Sequence, residues 1–347
     1  MKKACAFILI LVTFSVVRAQ VAGLSTLAVL DMPFSARTAG FGFDFISVVD
    51  DDLNVALNNP SLISGNLNNQ MSVGFVNVFS GANFGSVAYS HDFKKLGAFA
   101  FGLQFGNYGR FDGYDENEQP TGSFSAADYV FTIGWGRAID DNVTIGANMK
   151  PILSHYESYT ALALGFDLAA SYFSDNGRFA ITAMGRNIGA QLFTFDGTSE
   201  KLPFELSLSG SYKFQDAPFR FFFALNELQT WNLRYEDPLN PSTTTDPFTG
   251  EVSEKYSAFG KVADNLGRHV NFGLEVNIKS SVFLRMGYSY RQMVEMKAAD
   301  VFNLSGFSFG IGIRVKGFEF CYSRNNYHLT QAPNFISIST NLDRFIK

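Results

Sequence analysis

The chain of 347 residues is slightly acidic, with 27 Lys and Arg against 32 Asp and Glu and a net charge of −5. This balance argues against a general nucleic-acid binder. The chain is rich in Phe (38), Tyr (14) and Gly (31), and no segment after the N-terminus is long and apolar enough for a transmembrane helix. For an exported chain, this composition fits either a soluble all-β protein or an outer-membrane β-barrel.

Residues 1–19 have the pattern of a signal peptide. Two lysines precede a short apolar run at 6–17, and the sequence VRA at 17–19 is typical of a cleavage site. The apolar run is too short to span a membrane. Cleavage would remove Cys5 and leave Cys321, which we predict to be a structural thiol on the inner face of its strand.

The next segment, residues 20–69, has neither the alternation of a strand nor a sustained helical stripe. Asp52 precedes the run 53–57 and is predicted to cap a short helix there, since an Asp side chain accepts from free backbone amides. The acidic residues 50–52 lack the alternating ligands and trailing Glu of a calcium loop. Pro60 is predicted to end the helix and to turn the chain toward the first strand.

After this segment, apolar and polar residues alternate with a period of two, which indicates β-strands. In one such run Phe307, Phe309 and Ile311 alternate with serine and glycine. Fourteen strands are predicted, at residues 71–79, 83–91, 96–106, 128–138, 142–155, 160–174, 178–188, 203–215, 218–232, 268–279, 281–292, 303–315, 317–325 and 334–342.

The polar face of these strands separates the two classes of β-protein. It is rich in Gly, Ser and Asn and carries charges in mid-strand, among them Asp167, Glu275 and Arg285. An apolar outer face with a polar interior is typical of a barrel in lipid. We predict an all-β fold, a transmembrane outer-membrane β-barrel of about 14 antiparallel strands with an N-terminal hatch. A soluble all-β protein is the alternative.

The lengths of the connections between strands support the barrel. Short connections alternate with longer ones, as in bacterial outer-membrane barrels with short periplasmic turns and longer outer loops. The short ones contain turn residues, for example SDNG at 174–177. The alternation predicts that both chain termini lie on the periplasmic side.

Two outer loops are long enough to carry function. Leu233–Gly267 contains three prolines and a Ser/Thr run, which argue against continued strand pairing. Asn107–Ala127 has an acidic tip with aromatic residues. Long loops on a rigid scaffold commonly bind partners, and solvated loops without a function are the alternative. The candidate partner-binding residues are Tyr235, Asp237, Phe248, Tyr256, Phe111 and Tyr114.

The sequence contains no recognisable catalytic, cofactor-binding or metal-binding pattern. The histidines, His91, His155, His269 and His328, belong to no H-x-x-x-H or C-x-x-C arrangement. The motif GFGFDF at 40–45 lacks the dinucleotide-binding spacing. We predict no enzyme activity, no cofactor and no metal site.

The segment 20–69 is too apolar to trail in water and too irregular to pair as strands, which leaves the interior of the barrel. Strand side chains alone do not fill a lumen of about fourteen strands. We therefore predict that 20–69 is a hatch inside a barrel formed by 70–347. Arg37 is expected to pair with a luminal acid such as Glu275.

The segment also carries a family resemblance, through MPFSAR, ISVVDDDLNVALNNPSL and NNPSLIS. These motifs are similar to the hatch of FadL-type long-chain fatty-acid transporters. They resemble more closely the PorV/PorQ family of outer-membrane proteins of the type IX secretion system, on the PorQ side. The resemblance covers the organisation of the whole mature chain but only about 35 residues in motif. The hatch positions that match are Pro33, Arg37, Asp52, Asn59 and Pro60, expected to be structural or gating residues.

The resemblance implies a function without catalysis. Proteins of this family belong to the cell-surface attachment complex, in which PorQ anchors the surface protein PorZ and PorV pairs with the sortase PorU. The expected partners are a PorZ-like surface protein, PorU, PorV and outer-membrane lipid or lipopolysaccharide. One alternative is a transporter of long-chain fatty acids or other hydrophobic compounds, with Phe173, Phe222 and Phe283 lining a pocket. A passive porin is a third possibility, which the predicted plug disfavours.

Overall fold

The computed structural model describes residues 27–42, 46–48, 50–78, 81–234, 243–245, 252–254, 257–296, 304–326 and 332–345. The predicted signal peptide lies outside the described residues. Fourteen antiparallel strands close into a barrel, which confirms the predicted fold class. The strands are β1 Gln70–Asn77, β2 Asn83–Asp92, β3 Ala98–Tyr114, β4 Pro120–Ala138, β5 Val143–Tyr156, β6 Tyr159–Phe173, β7 Phe179–Phe193, β8 Glu205–Lys213, β9 Phe219–Leu225, β10 Val270–Ile278, β11 Val282–Ser289, β12 Phe307–Val315, β13 Phe318–Asn325 and β14 Asn334–Asn341.

The first and last strands complete the barrel. Each strand pairs with the next along the chain, and β14 pairs with β1 from Gln70↔Asn341 to Asn77↔Asn334. Closure pairs the backbone groups of both strands, as the interior of a membrane requires because it offers no water to backbone amides.

The two faces of the wall differ as the alternation predicts. In β10, Asn271 and Glu275 are buried on the inner face, while Phe272 is 58% exposed on the outer face. Phe131, Leu284 and many other outward apolar side chains are likewise exposed. A polar interior inside an apolar outer band is the arrangement of a barrel in lipid.

The predicted loop Asn107–Ala127 is wrong as a loop, because β3 and β4 continue through most of it as a two-stranded ribbon. A register shift follows Asn107, and pairing resumes at Arg110↔Ser125. The tip is narrow because the Asp115 side chain accepts from two backbone amides of the turn. Gly and polar residues weaken the alternation along this ribbon, which is why a loop was predicted here.

Strand β9 is shorter than the prediction 218–232, because Glu227 has a positive φ of 58° and the chain leaves the sheet there. The predicted loop Leu233–Gly267 contains regular structure that the prediction missed. A short hairpin pairs Thr243–Thr245 with Val252–Glu254, contrary to the expectation that prolines and a Ser/Thr run prevent pairing. A twelve-residue helix, Ala258–His269, then leads into β10.

Among the described residues, two α-helices lie in the N-terminal segment, α1 Ala36–Ala39 and α2 Leu53–Ala56, and two lie in the loops, α3 Ala258–His269 and α4 Tyr290–Glu295. Helix α4 replaces the end of the predicted strand 281–292. The cap on α2 is confirmed, since Asp52 Oδ1 accepts from the Asn54 amide at 3.0 Å. None of the described helices has the length and hydropathy needed to cross a membrane.

Connections at one end of the barrel are all short, whereas those at the other end range from the two-residue turn after β5 to the long connection between β9 and β10. One end, here called the short-turn end, has tight turns with positive φ at Gly97, Gly177, Lys316 and Gly317. The opposite end, here called the long-loop end, includes α3, α4 and the β3–β4 ribbon. Strands β1 and β14 meet the rest of the chain at the short-turn end, on the side of Gln70 and Asn341.

The N-terminal segment forms the apolar core together with the inner face of the wall. Phe41, Leu53 and Ile63 of this segment are almost fully buried, and they cluster with wall residues such as Phe222. The same segment makes short single turns at Ala28–Asp31, Pro60–Leu62 and Gly65–Leu67. Its boundaries at 20–69 and its role as a hatch stay predictions.

Candidate functional site: the luminal segment and the outer surface

Charged side chains hold the N-terminal segment against the wall. Ser35 caps helix α1, and this short helix positions Arg37. The guanidinium of Arg37 is buried, with Nη2 at 2.8 Å from Asp50 Oδ2 and Nη1 at 3.3 Å from Asp52 Oδ2. Asp52 therefore serves two roles, since its other oxygen caps α2.

Arg37 also reaches the barrel wall, where its Nη2 lies 3.4 Å from Glu275 Oε2, the pair expected from the sequence. Arg220 Nη1 lies 2.9 Å from Asp50 Oδ2, and Arg285 Nε lies 2.9 Å from Glu275 Oε2. We call six side chains the luminal ion network: Arg37, Asp50, Asp52, Arg220, Glu275 and Arg285. Its basic and acidic groups balance, as burial of charge requires.

Asp50 stays ionised within this network. Burial raises the pKa of the Asp50 carboxyl, but the guanidinium groups of Arg37 and Arg220 outweigh burial and hold the pKa well below its usual range. The ion pairs that involve Asp50 therefore persist at neutral pH.

Asn59 and Pro60 lie where the segment crosses the wall most closely. Asn59 Nδ2 donates to Thr182 Oγ1 at 3.2 Å and to a backbone carbonyl of its own segment. The Pro60 carbonyl approaches Gly146 of β5 so closely that a Cβ at that glycine would overlap with it. The five hatch positions that match the family resemblance are all buried: Pro33, Arg37, Asp52, Asn59 and Pro60. Their structural or gating role stays a prediction.

Inward-facing glycines make room for the segment, a role that was not predicted from the sequence. A Cβ at Gly287 of β11 would overlap with the Phe41 backbone, and a Cβ at Gly136 of β4 would overlap with the Ile63 carbonyl. Glycine permits such close approach of two backbones. The period-two pattern could have identified them, because it places these glycines on the inner face of the barrel.

A second group of charges lies on the other side of the lumen. Lys150 Nζ is 2.6 Å from Asp167 Oδ1, and Arg186 Nη1 is 3.3 Å from Glu205 Oε2. Arg186 Nη2 also donates to the Leu30 carbonyl at 3.3 Å, which ties the start of the described segment to β7. The segment is thus fixed by charge at two separate places.

Two cavities open at opposite ends of the barrel, and we call them the outer and inner vestibules. The outer vestibule, at the long-loop end, has a volume of about 480 Å³, and the inner one, at the short-turn end, has about 650 Å³. Charged residues line the outer vestibule, including Glu205, Glu227, Arg268, Arg291 and Glu295. Charged residues also line the inner one, including Asp50, Arg220, Glu275, Arg314 and Glu319.

The three inward phenylalanines do not line a shared apolar pocket. The Phe222 ring centroid lies 4.5 Å from that of Phe41, and Phe173 packs against the same core cluster. Phe283 lies between two guanidinium groups, with Arg285 at 5.4 Å and Arg314 at 5.3 Å from its ring centroid. These rings serve packing and cation–π contacts in the structure.

Two of the candidate partner-binding residues are described, and both are on the β3–β4 ribbon. Phe111 is 42% exposed and stacks on Phe124 with centroids 5.3 Å apart, and Tyr114 is 63% exposed near the tip. The other candidates lie outside the described residues: Tyr235, Asp237, Phe248 and Tyr256. Their assignment to a partner stays a prediction.

The described histidines are dispersed. His269 is buried between the carbonyls of Asn226 and Trp231, and His91 and His155 lie on other strands. Within the described parts of the chain, no three His, Cys, Asp or Glu side chains are arranged to hold a metal ion. Cys321 is buried on the inner face, as predicted, 3.2 Å from Arg285 Nη1.

Solved structures of two transporters share this architecture. The toluene transporter TodX of Pseudomonas putida matches with a TM-score of 0.53 and 14% identity, over 88% of this chain and 97% of that chain. The toluene transporter TbuX of Ralstonia pickettii matches with a TM-score of 0.50 and 11% identity, over 89% and 98%. The chain shares the closed-barrel fold of these two transporters.

At these identities the likeness shows the fold alone. A FadL homologue of Pseudomonas aeruginosa also matches, with a TM-score of 0.47 and 11% identity over 88% of this chain and 98% of that chain. No protein-family profile matches the sequence, and neither does any curated protein. The fold supports a location in the outer membrane.

Proposed function

We propose that this chain is a non-enzymatic outer-membrane barrel that anchors a PorZ-like surface protein of the type IX secretion system. The observation that carries the proposal is the occupied lumen. The described residues between 27 and 69 pack against the inner face of the wall between the two vestibules, and the luminal ion network fastens them to it. The link to type IX secretion, with PorU and PorV in the same complex, rests on the motifs within 30–64.

The chemistry of the vestibules supports an anchor over a channel for apolar compounds. Ligand sites for hydrophobic molecules are lined mainly by apolar side chains with few polar groups. Both vestibules here are rich in charged residues, and the described inward phenylalanines are engaged by the segment or by arginines. An apolar solute would have to displace buried ion pairs, which is costly.

The long-loop end offers a surface for a partner. The β3–β4 ribbon extends beyond its pairing with neighbouring strands and exposes Phe111 and Tyr114. Aromatic side chains supply much of the binding energy in protein interfaces. Helix α3, in the described part of the loop 233–267, lies at the same end.

The decisive experiment is extraction of the tagged chain from its native outer membrane in mild detergent, followed by mass spectrometry of the bound proteins. A near-stoichiometric surface protein of the secretion apparatus is the expected result. A matched variant replaces residues 235–256 with a short Gly/Ser linker and keeps the hydrogen bond from the Leu233 amide to Asn265. This variant should assemble and lose the partner. A barrel recovered alone from the native membrane would refute the anchor.

Transport of hydrophobic compounds is the second candidate, and the structural comparisons favour it over anchoring. TodX and TbuX, which match with TM-scores of 0.53 and 0.50, are described as toluene transporters, and they match along nearly their whole length. This candidate requires that the N-terminal segment move, since its described residues pack against the inner face of the wall. It keeps the same fold and turns the two vestibules into the ends of a route.

Uptake measurements test this second candidate directly. Cells with and without the protein would be given a labelled long-chain fatty acid, and in parallel labelled toluene. Transport predicts faster uptake of at least one compound in cells that contain the protein. Equal uptake of both compounds by the deletion strain would count against it. The loop-shortened variant serves as the control, because it should keep any transport while losing a partner.

A further inference from the structure

Helix α3 at the long-loop end has an apolar face that points away from the protein. Phe259, Val262 and Leu266 are 82%, 52% and 46% exposed. Their spacing of three and four residues places them on one side of the helix. If the helix packed onto the barrel through this apolar face, the three side chains would be buried. Instead they form an exposed stripe along the helix.

The opposite, polar face attaches the helix to the barrel. Asp264 Oδ2 accepts from Arg268 Nε and from Arg234 Nε, each at 3.1 Å, and its Oδ1 accepts from the Tyr290 hydroxyl at 2.8 Å. Asn265 is buried and accepts from the Leu233 amide at 2.9 Å. These bonds fix the rotation of α3 about its axis, so the exposure of the stripe is a fixed feature of the fold.

The contacts of the polar face with the outer vestibule and with α4 show in which direction the stripe points. Arg268 lines the outer vestibule, and α4, which Asp264 and Arg268 contact, lines the same cavity. Asp264 and Arg268 lie roughly opposite Val262 and Leu266 around the helix, at 100° per residue. The polar face therefore points toward the lumen axis, and the apolar stripe points away from it.

The stripe continues the apolar outer face of the wall. Helix α3 passes directly into β10 at Val270, and Phe272, which faces outward on that strand, is 58% exposed. Leu266 lies only six residues before Phe272 in the chain. Trp231 is 67% exposed nearby, and its carbonyl accepts from His269 Nε2 at the end of α3. Tryptophan prefers the boundary between membrane and water.

We propose that α3 is an interfacial helix whose stripe of Phe259, Val262 and Leu266, with Trp231, lies in the boundary region of the outer membrane leaflet. The occupant of this face is lipid. The apolar band of the barrel extends into the stripe, so both surfaces contact the same phase. Helices with one apolar and one strongly polar face bind in this way at the headgroup level. The helix thereby links the long-loop end to the membrane plane.

Site-directed spin labelling of the full chain in phosphatidylcholine vesicles tests the proposal. Labels are placed through Val262→Cys on the stripe, Phe131→Cys on the lipid-facing wall and Asn117→Cys at the exposed ribbon tip. The unsubstituted chain, with the buried Cys321 and with Cys5 of the predicted signal peptide, gives the labelling background. Collision with oxygen, which partitions into lipid, is compared with collision with a water-soluble nickel chelate.

The expected result is that the Val262→Cys label favours oxygen over the chelate severalfold more than the Asn117→Cys label does. A label that meets the chelate as readily as Asn117→Cys would place the stripe in water and overturn the proposal. A label shielded from both reagents would mean that protein, from this chain or a second copy, covers the face, which overturns it as well.

Tryptophan fluorescence gives an independent measurement without a cysteine. Trp135→Phe leaves Trp231 as the one tryptophan of the chain. Lipids brominated close to the headgroup should quench its emission strongly, and lipids brominated near the chain end should quench it less. Equal emission in brominated and plain vesicles would overturn the proposal. Val262→Asp should reduce the quenching, whereas the same change at the ribbon tip, Asn117→Asp, should leave it unchanged.

Discussion

Arg37 of the N-terminal segment lies 3.4 Å from Glu275 on β10, although 238 residues separate them in the chain. The contact joins the luminal segment to the wall, and Arg220 reaches both Asp50 and Glu275 from the neighbouring strand. Because these charges are largely buried, each depends on its partners to offset the loss of water. The segment and the barrel are therefore coupled electrostatically.

Removing the Arg37 guanidinium should loosen the segment. Arg37→Met leaves Asp50 and Glu275 with fewer partners, and removing one partner of a buried ion pair costs about 3–5 kcal/mol. We expect faster cleavage of the N-terminal segment by a protease supplied from the short-turn side, and larger currents in planar bilayers. Arg110→Met is the matched control, because Arg110 is exposed and bonds to Ser123 on the ribbon. Identical currents from both variants would contradict the coupling.

Backbone contact should matter independently of charge. Gly287→Val places a side chain where the Phe41 backbone lies, so the segment has to move away from β11. We expect an assembled barrel with raised conductance and a protease-sensitive N-terminus. Gly185→Val is the control, since a Cβ there meets only the ends of Ile188 and Leu206 side chains at 3.4 Å. Unchanged protection of the N-terminus in Gly287→Val would argue against close packing at this point.

The barrel was predictable from sequence because the alternation of inward and outward side chains along a strand is a local property. Fourteen strands and the short turns at one end follow from that alternation together with turn residues such as Gly177. The end of β9 was not predictable in this way, since the chain leaves the sheet through a positive φ at Glu227, a residue type that does not by itself indicate such a conformation. The β3–β4 ribbon was missed because its exposed strands contain many Gly and polar residues.

The candidate site was predictable in part. A buried guanidinium requires an acidic partner, so Arg37 was expected to pair with an acid in the lumen. Glu275, an acid on the inner face of the wall, is one of its partners. The contribution of Asp50 and Arg220 depends on the path of the segment within the lumen, which no local pattern encodes. The same holds for glycines such as Gly287, whose importance depends on what crosses them.

Closure of the lumen should withstand mild acid. The Asp50 pKa is lowered in the folded protein by Arg37 and Arg220, so its stabilising contribution is present at neutral pH and is lost only as the pH falls through this lowered value. If Asp50 controls closure, bilayer currents stay constant from pH 7 down to about pH 4, the usual pKa of Asp, and rise only in stronger acid. Burial raises the pKa of the Asp52 carboxyl, so control by Asp52 would bring the rise to a higher pH. Asp50→Asn should give larger currents throughout this range. Currents of the unmodified chain that rise between neutral pH and about pH 5 would mean that another group controls closure.

Tyr114 provides a sharp test of partner binding at the long-loop end. The side chain is 63% exposed on the β3–β4 ribbon, so Tyr114→Ser should change the stability of the barrel by less than about 0.5 kcal/mol. If Tyr114 is buried by a surface partner, the substitution should weaken binding by about 1–2 kcal/mol or more, seen as loss of the partner during detergent extraction. Ile139→Ser is the matched control, because Ile139 is also 63% exposed but lies at the short-turn end. Equal retention of the partner by both variants would remove Tyr114 from the interface and direct attention to the loop at 233–267.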